Sequence, residues 1–303
     1  MKKRSLKLLS LTIAGALMVG GFMGCSQQKS NDKKLGMVLS TLNNPFFVSM
    51  KEGAEKKAKE MGYELVVLDS QNDSTKERSN VEDLVQQGVT ALMINPTDSD
   101  AVKNSIQVAN DKKIPVITLD RESNGGEVAC HISSDNVKGG NMAAEYMLET
   151  LKDKQNIKVV ELQGVPGASA TRDRGKGFHD GIAGKSNVNV VASQSAEFDR
   201  QKGLSVMENI IQATPDFDVV FAQNDEMALG AIKALKAANK NVMVIGFDGN
   251  ADAETAVKNG DMTATIAQQP ALMGELSVEQ ASKILKGESV EKQVPADLKV
   301  LKK

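Results

Sequence analysis

Beyond residue 34 the chain alternates, almost without interruption, between apolar runs of strand length and stretches whose apolar positions recur with a helical period. Runs at 35–39, 64–68, 91–94 and 114–119 predict strands, and the patterns at 45–61, 74–87 and 98–113 predict the helices between them. A second series opens with a helical pattern at 137–151. Its strands are expected at 157–162, 188–192, 219–222 and 242–247, with helices at 168–183, 199–213 and 226–238. Strands rich in Val and Ile, without polar alternation, are buried on both faces, so each series predicts a parallel sheet covered by helices.

Two series of similar length, with no linker rich in Pro or Gly between them, imply an α/β fold of two doubly wound, Rossmann-like domains. The first crossover is expected near 132–136. The apolar run at 263–267 and the helical pattern at 271–286 come late enough to close back across the boundary, so the domains would be discontinuous and joined by a multi-strand hinge. The expected lobes are 35–134 plus 269–297, and 135–268 plus 298–303.

In such sheets ligands sit outside the carboxyl ends of the strands, and those ends are unusually polar here. The first strand leads to Asn43 and Asn44, the second to Asp69 and Asn72, the third to Asn95, and the fourth to Asp120 and Arg121. Later strands lead to Gln223, Asn224 and Asp225, to Asp248 and to Gln268. Any one of these residues serves equally well as a turn former or helix cap. The whole set points to a polar crevice. Phe46 and Phe47 follow Asn43 and Asn44 directly, where two adjacent rings are not expected to turn into one core. They read as a clamp for a flat ligand with polar edges, such as a sugar.

The leader changes the setting. Lys2, Lys3, Arg4 and Lys7 precede an uncharged stretch at 8–24 that ends at Cys25, which reads as a signal peptide at 1–24 followed by a polar tether at 25–34. An uncleaved signal anchor is the alternative. Of 37 basic residues four lie in this leader, which leaves 33 against 39 acidic ones and a mildly acidic body. With no Lys/Arg cluster, nucleic acid is not an expected partner. Cys130 is then the only body cysteine, read as a core or strand thiol, and His131 and His179 are too isolated to suggest a metal.

The motifs STLNNPFFVS (40–49), INPTDSD (94–100), ITLDR (117–121), AQNDEMALG (222–230), GFDG (246–249) and TIAQ (265–268) resemble those of the bacterial D-ribose-binding proteins of ATP-binding-cassette (ABC) importers. These are periplasmic binding proteins of type 1, and the likeness runs from about residue 35 to the C-terminus. The blocks around Asn224 and Asp248 also occur in relatives for other sugars and in sugar-responsive repressors. Asn-Asn-Pro-Phe-Phe with Leu-Asp-Arg is more specific to ribose.

The resemblance implies a ligand set of Asn44, Phe46, Phe47, Asn95, Asp120, Arg121, Arg174, Phe198, Asn224, Asp248 and Gln268. Read alone, Arg174 near a helix start is more often on a solvated face and Phe198 more often in a core, while Asp120–Arg121 serves equally well as a surface ion pair or a ligand contact. The signal ending in Gly24–Cys25 resembles that of a lipoprotein, with Cys25 lipidated and the protein anchored outside the cytoplasm on the cell membrane. Phe22 and Met23 depart from the Leu and small residue usual there.

The resemblance thus implies a monomeric solute-binding lipoprotein, without cofactor, that delivers D-ribose to a permease and, through it, to an ATPase. A sensor or binder of a related ligand (allose, another pentose, a furanose autoinducer) is the alternative with the same pocket. A transcription regulator would need a helix-turn-helix where this chain has a signal and tether. The carboxylates Asp120 and Asp248 could suggest glycoside chemistry, yet beside Arg and amides both are expected to stay ionised. No nucleophile–base pair or phosphate loop accompanies them, so no enzyme is expected.

Overall fold

A computed structural model describes residues 33–303. The expected signal peptide, Cys25 and nearly all of the tether lie outside the described residues. Strand β1 (Lys34–Leu39) is a buried apolar run, followed by α1 (Pro45–Met61). That helix begins cleanly: Asn44 caps it by accepting from the Phe46 N–H, Pro45 sits where no N–H is needed, and Gly62 ends it at φ 74. The series continues through β2 (Glu64–Asp69), α2 (Ser74–Gln86), β3 (Ala91–Ile94), α3 (Val102–Asp111), β4 (Val116–Leu119) and β5 (Cys130–Ser133).

The second series comprises α4 (Asn136–Thr150), β6 (Ile157–Gln163), α5 (Ser169–Ile182), β7 (Val188–Ser195), α6 (Arg200–Ala213), β8 (Val219–Ala222), α7 (Asp225–Ala237), β9 (Met243–Asp248), α8 (Ala251–Asn259) and β10 (Ala264–Ala267). The chain then returns with α9 (Pro270–Leu285) and β11 (Gln293–Pro295), and ends with β12 (Lys299–Lys302).

Two six-stranded sheets result, ordered β11-β5-β4-β3-β1-β2 and β12-β10-β9-β8-β6-β7. All neighbours are parallel except β10 and β12. Both sheets share the doubly wound order, with its switch point between β1 and β3 in one and β6 and β8 in the other. The chain passes between the sheets after β5, after β10, and between β11 and β12, so three strands of chain form the hinge.

Helices cover both faces of each sheet. In the first lobe Leu35, Met37 and Leu39 pack beneath α1 and α9, while Val38, Leu92 and Ile94 pack beneath α2 and α3. The second lobe repeats this with two clusters, one around Val160, Leu162 and Val220 and another around Val159, Phe178, Phe221 and Phe247. Burying both faces fixes the strand register, which sets the loops at the strand ends where the two lobes meet.

Expectation and structure differ at several ends. Residues 98–101 form a turn rather than helix, because Asp98 Oδ1 accepts from the Asp100 and Ala101 N–H groups. Strands β5, β11 and β12 and helix α8 had no separate prediction.

Candidate functional site

Lobe-to-lobe contact is direct beside the strand ends. Ser99 N–H donates to Gly167 O (3.1 Å), Ser169 N–H to Ser99 Oγ (3.2 Å), and Glu122 N–H to Ser169 Oγ (2.8 Å). Behind this seam lies a small hollow between the lobes. Nine of the eleven expected residues line it: Asn44, Phe46, Phe47, Asp120, Arg121, Arg174, Phe198, Asn224 and Asp248. Asn95 and Gln268 stand behind them. Asn95 Nδ2 donates to Asp120 Oδ2 (3.3 Å), and Gln268 Nε2 donates to Asp248 Oδ1 (2.9 Å). Ala170 also lines the hollow, and nothing in its local sequence marks it.

Two larger clefts flank the hollow and reach solvent. One, of about 1030 Å³ on the hinge side, shares Asp120 with it; the other, of about 870 Å³, shares Asn44, Phe47, Arg121 and Phe198.

Backbone conformation aims several of these side chains. Asp120 at the end of β4 has φ 58, Phe198 has φ 59, and Asp248 at the end of β9 has φ 119. Non-glycine residues avoid this region at a cost of about 1–3 kcal/mol each, and such strain gathers at functional sites. Asn44 and Asn224 resolve the question of cap or site: each caps a helix and also lines the hollow.

Four charged side chains are buried together, Asp120, Arg121, Arg174 and Asp248, none more than 4% exposed. Arg174 Nε donates to Asn136 Oδ1 (2.8 Å) and Nη1 to Gln223 O (2.7 Å), with Asp248 Oδ1 3.5 Å away. Its guanidinium lies 3.9 Å from the Phe247 ring centroid. Arg121 Nη1 donates to Pro96 O (3.0 Å), and its guanidinium sits between Phe47 (5.3 Å) of its own lobe and Phe198 (5.4 Å) of the other.

Two acids and two bases balance in charge, which makes burial of the set tolerable. Burial pushes the Asp248 carboxyl well above the ordinary range, and Arg174 opposes that rise only in part. Burial also lowers the Arg121 guanidinium from its ordinary value, against the pull of Asp120.

Phe46 and Phe47 also correct the reading that they could not share one core. Both are nearly fully buried in the first lobe's cluster, edge to face at 5.2 Å, and both still line the hollow. The second lobe covers what would otherwise be their wet face.

Other strand-end residues serve the fold. Asp69 Oδ1 accepts from the Leu42 and Gln71 N–H groups, and Gln223 Nε2 donates to the buried Glu161. Asp225 accepts from Thr265 Oγ1 (2.7 Å) and the Asn250 N–H (2.8 Å), tying down the loop that follows Asp248. Arg172 is exposed and pairs with Asp173 and Glu122. Among the described residues no group of three or more His, Cys, Asp and Glu is arranged to hold a metal, and no helix is long and apolar enough to cross a membrane.

Paired doubly wound lobes with a polar, aromatic-walled hollow between them define a two-lobed solute-binding protein. Residues 35–289 match the periplasmic binding protein domain, and the chain belongs to that family. It is 53% identical over 295 residues to the ribose import binding protein RbsB of Haemophilus influenzae, spanning 97% of this chain and 99% of that one. It is 56% identical over 270 residues to the ribose import binding protein RbsB of Escherichia coli, spanning 89% and 90%. The Caulobacter myo-inositol binding protein, solved with myo-inositol bound, matches with a TM-score of 0.85 at 33% identity, over 89% of this chain and 93% of that one.

Proposed function

We propose that this protein captures D-ribose between its lobes and hands it to an ABC permease driven by an ATPase. The observation that carries the reading is the convergence of Asp120, Arg121, Arg174 and Asp248, walled by Phe46, Phe47 and Phe198, on one small hollow fed from both lobes. The ribose import names of relatives above 50% identity support the same ligand.

A pyranose has C–H faces that the Phe rings cover and hydroxyls that need both donors and acceptors. Arginines donate, carboxylates accept, and amides do both. The best small ligands gain at most about 1.5 kcal/mol per heavy atom, so micromolar binding of a pentose requires nearly every hydroxyl to be satisfied. Ligand would then favour the closed arrangement of the lobes, 35–134 plus 269–297 against 135–268 plus 298–303, by bridging them through Arg121 and Arg174. No bond is made or broken.

The protein would act as a monomer outside the cytoplasm, held to the cell membrane by lipid on Cys25. Calorimetric titration of the purified protein against a monosaccharide panel tests the central claim. Ribose should bind most tightly, and a hexose bound better than ribose would overturn it. The anchor is tested separately: Cys25→Ala should move the protein from the membrane fraction to the soluble one.

A further inference from the structure

Glu77 lies in the first turn of α2, where an acid ordinarily faces water and the helix dipole. Here it is fully buried. Its Oε2 accepts from the Thr97 N–H at 2.6 Å. That N–H shares one peptide group with the Pro96 carbonyl, which accepts from Arg121 Nη1 at 3.0 Å. A carboxylate, a peptide and a guanidinium thus stand in a single hydrogen-bonded line. Each link polarises the next, because an anion on the N–H end of a peptide makes its carbonyl a stronger acceptor.

We propose that Glu77 is a positioning residue for sugar binding: it holds and polarises the Pro96–Thr97 peptide, which in turn fixes the Arg121 fork toward the hollow. The inference rests on the ribose reading of that hollow, since Arg121 is the group through which it acts. Glu77 touches no part of the hollow itself. The relay strengthens when the carboxyl is ionised and weakens when it is protonated, so ribose affinity depends on its charge.

Burial brings that change of charge to about 7, with Thr97 and Arg121 favouring the anion and Asp98 opposing it. From its own helix the neighbouring charges are Asp73 at the cap, Lys76 and the exposed Arg78, which pairs with Glu82. Asp225 in the other lobe is pushed up to about 7 by burial, and the Asp248 carboxyl in the hollow is raised by burial too, so both must be separated from Glu77 in any test.

The experiment is ribose titration from pH 5.5 to 8.5 on wild type, Glu77→Gln, Asp225→Asn and Arg121→Gln, alone and with Glu77→Gln, each checked for folding by thermal melting. Wild type should lose affinity by about 3–10-fold toward low pH. Glu77→Gln should be weak and flat across the range, Asp225→Asn should keep the inflection, and Glu77→Gln should add nothing to Arg121→Gln. A flat wild-type profile overturns the proposal, as does loss of the inflection in Asp225→Asn or a full additional Glu77→Gln effect without Arg121. If Glu77→Gln does not fold, Arg121→Gln decides: it should lose the wild-type inflection, and an inflection that persists without Arg121 belongs to another group such as Asp248 and overturns the proposal. Wild type that binds no ribose at any pH refutes the ligand instead.

Discussion

Arg174 Nη2 of the second lobe stands 3.9 Å from Asp120 Oδ1 of the first, so an ion pair crosses the cleft where the sugar is expected. The same guanidinium reaches Asp248 at 3.5 Å, and both acids are buried. Arg174 therefore serves as the common counter-charge of the two lobes.

Removing it should leave two buried carboxylates without that partner. Arg174→Ala and Asp120→Ala are each expected to weaken ribose binding by about two orders of magnitude or more. Arg174→Lys keeps the charge but loses the fork that donates to Asn136 and Gln223 together, so it should fall between wild type and alanine. Calorimetry distinguishes the three, and unchanged affinity in both alanine variants would refute the site.

The seam between the lobes should tune affinity without touching ligand. Ser169 Oγ accepts from the Glu122 N–H, whose residue follows Arg121, and the Ser169 N–H donates to Ser99. Ser169→Ala removes one of these hydrogen bonds, worth about 1 kcal/mol. If closure is an equilibrium that ligand biases, apparent affinity should fall about fivefold with the order of preferred sugars unchanged. Scattering should show the ligand-free variant more open. A changed sugar preference would mean that Ser169 contacts ligand instead.

Much of this was legible because the relevant signals are local. Buried parallel strands write themselves as apolar runs; Asn95, Asp120, Asp248 and Gln268 follow those runs directly, and Asn224 follows one residue later. What escaped depends on distant partners. Strand β5, Cys-His-Ile-Ser, is short and half polar, and β12, Lys-Val-Leu-Lys, is an edge strand fixed only by pairing with β10. Helix α8 is rich in Ala and carries little pattern. Asp225 stands among the polar strand ends in sequence, and nothing local marks Glu77. Only the folded chain shows that both are buried.

Asp225 gives a pH prediction for stability. Burial raises its carboxyl to about 7, against an ordinary 3.8. Between those values the folded state holds more protons than the unfolded one, so this residue's contribution to stability falls as pH rises through the window. Asp225→Asn should flatten that part of the profile of melting temperature against pH. It should also cost about 1–3 kcal/mol at the acidic end, because the amide N–H₂ that replaces one carboxyl oxygen faces the donor of either Thr265 or Asn250, and that cost should shrink as pH rises. An unchanged slope between pH 4 and 7 would assign the dependence to other groups.

Helix packing should also reach the sugar. A Cβ on Gly140 of α4 would lie 2.1 Å from Arg174 O and 2.7 Å from Phe178 N, and one on Gly177 of α5 would lie 1.9 Å from Val137 O. The two helices thus touch backbone to backbone at the residue that carries the guanidinium. Gly140→Ala cannot be absorbed by turning a flexible side chain, so α5 must move, at about 1–3 kcal/mol or more. The melting temperature should drop by several degrees. Because Arg174 moves with its helix, ribose affinity should fall by about tenfold or more even where the variant is fully folded, since misplacing a bidentate donor weakens each of its hydrogen bonds. A variant that melts earlier yet binds ribose as wild type would show that Arg174 is set by Asn136 and Gln223 and not by the helix contact.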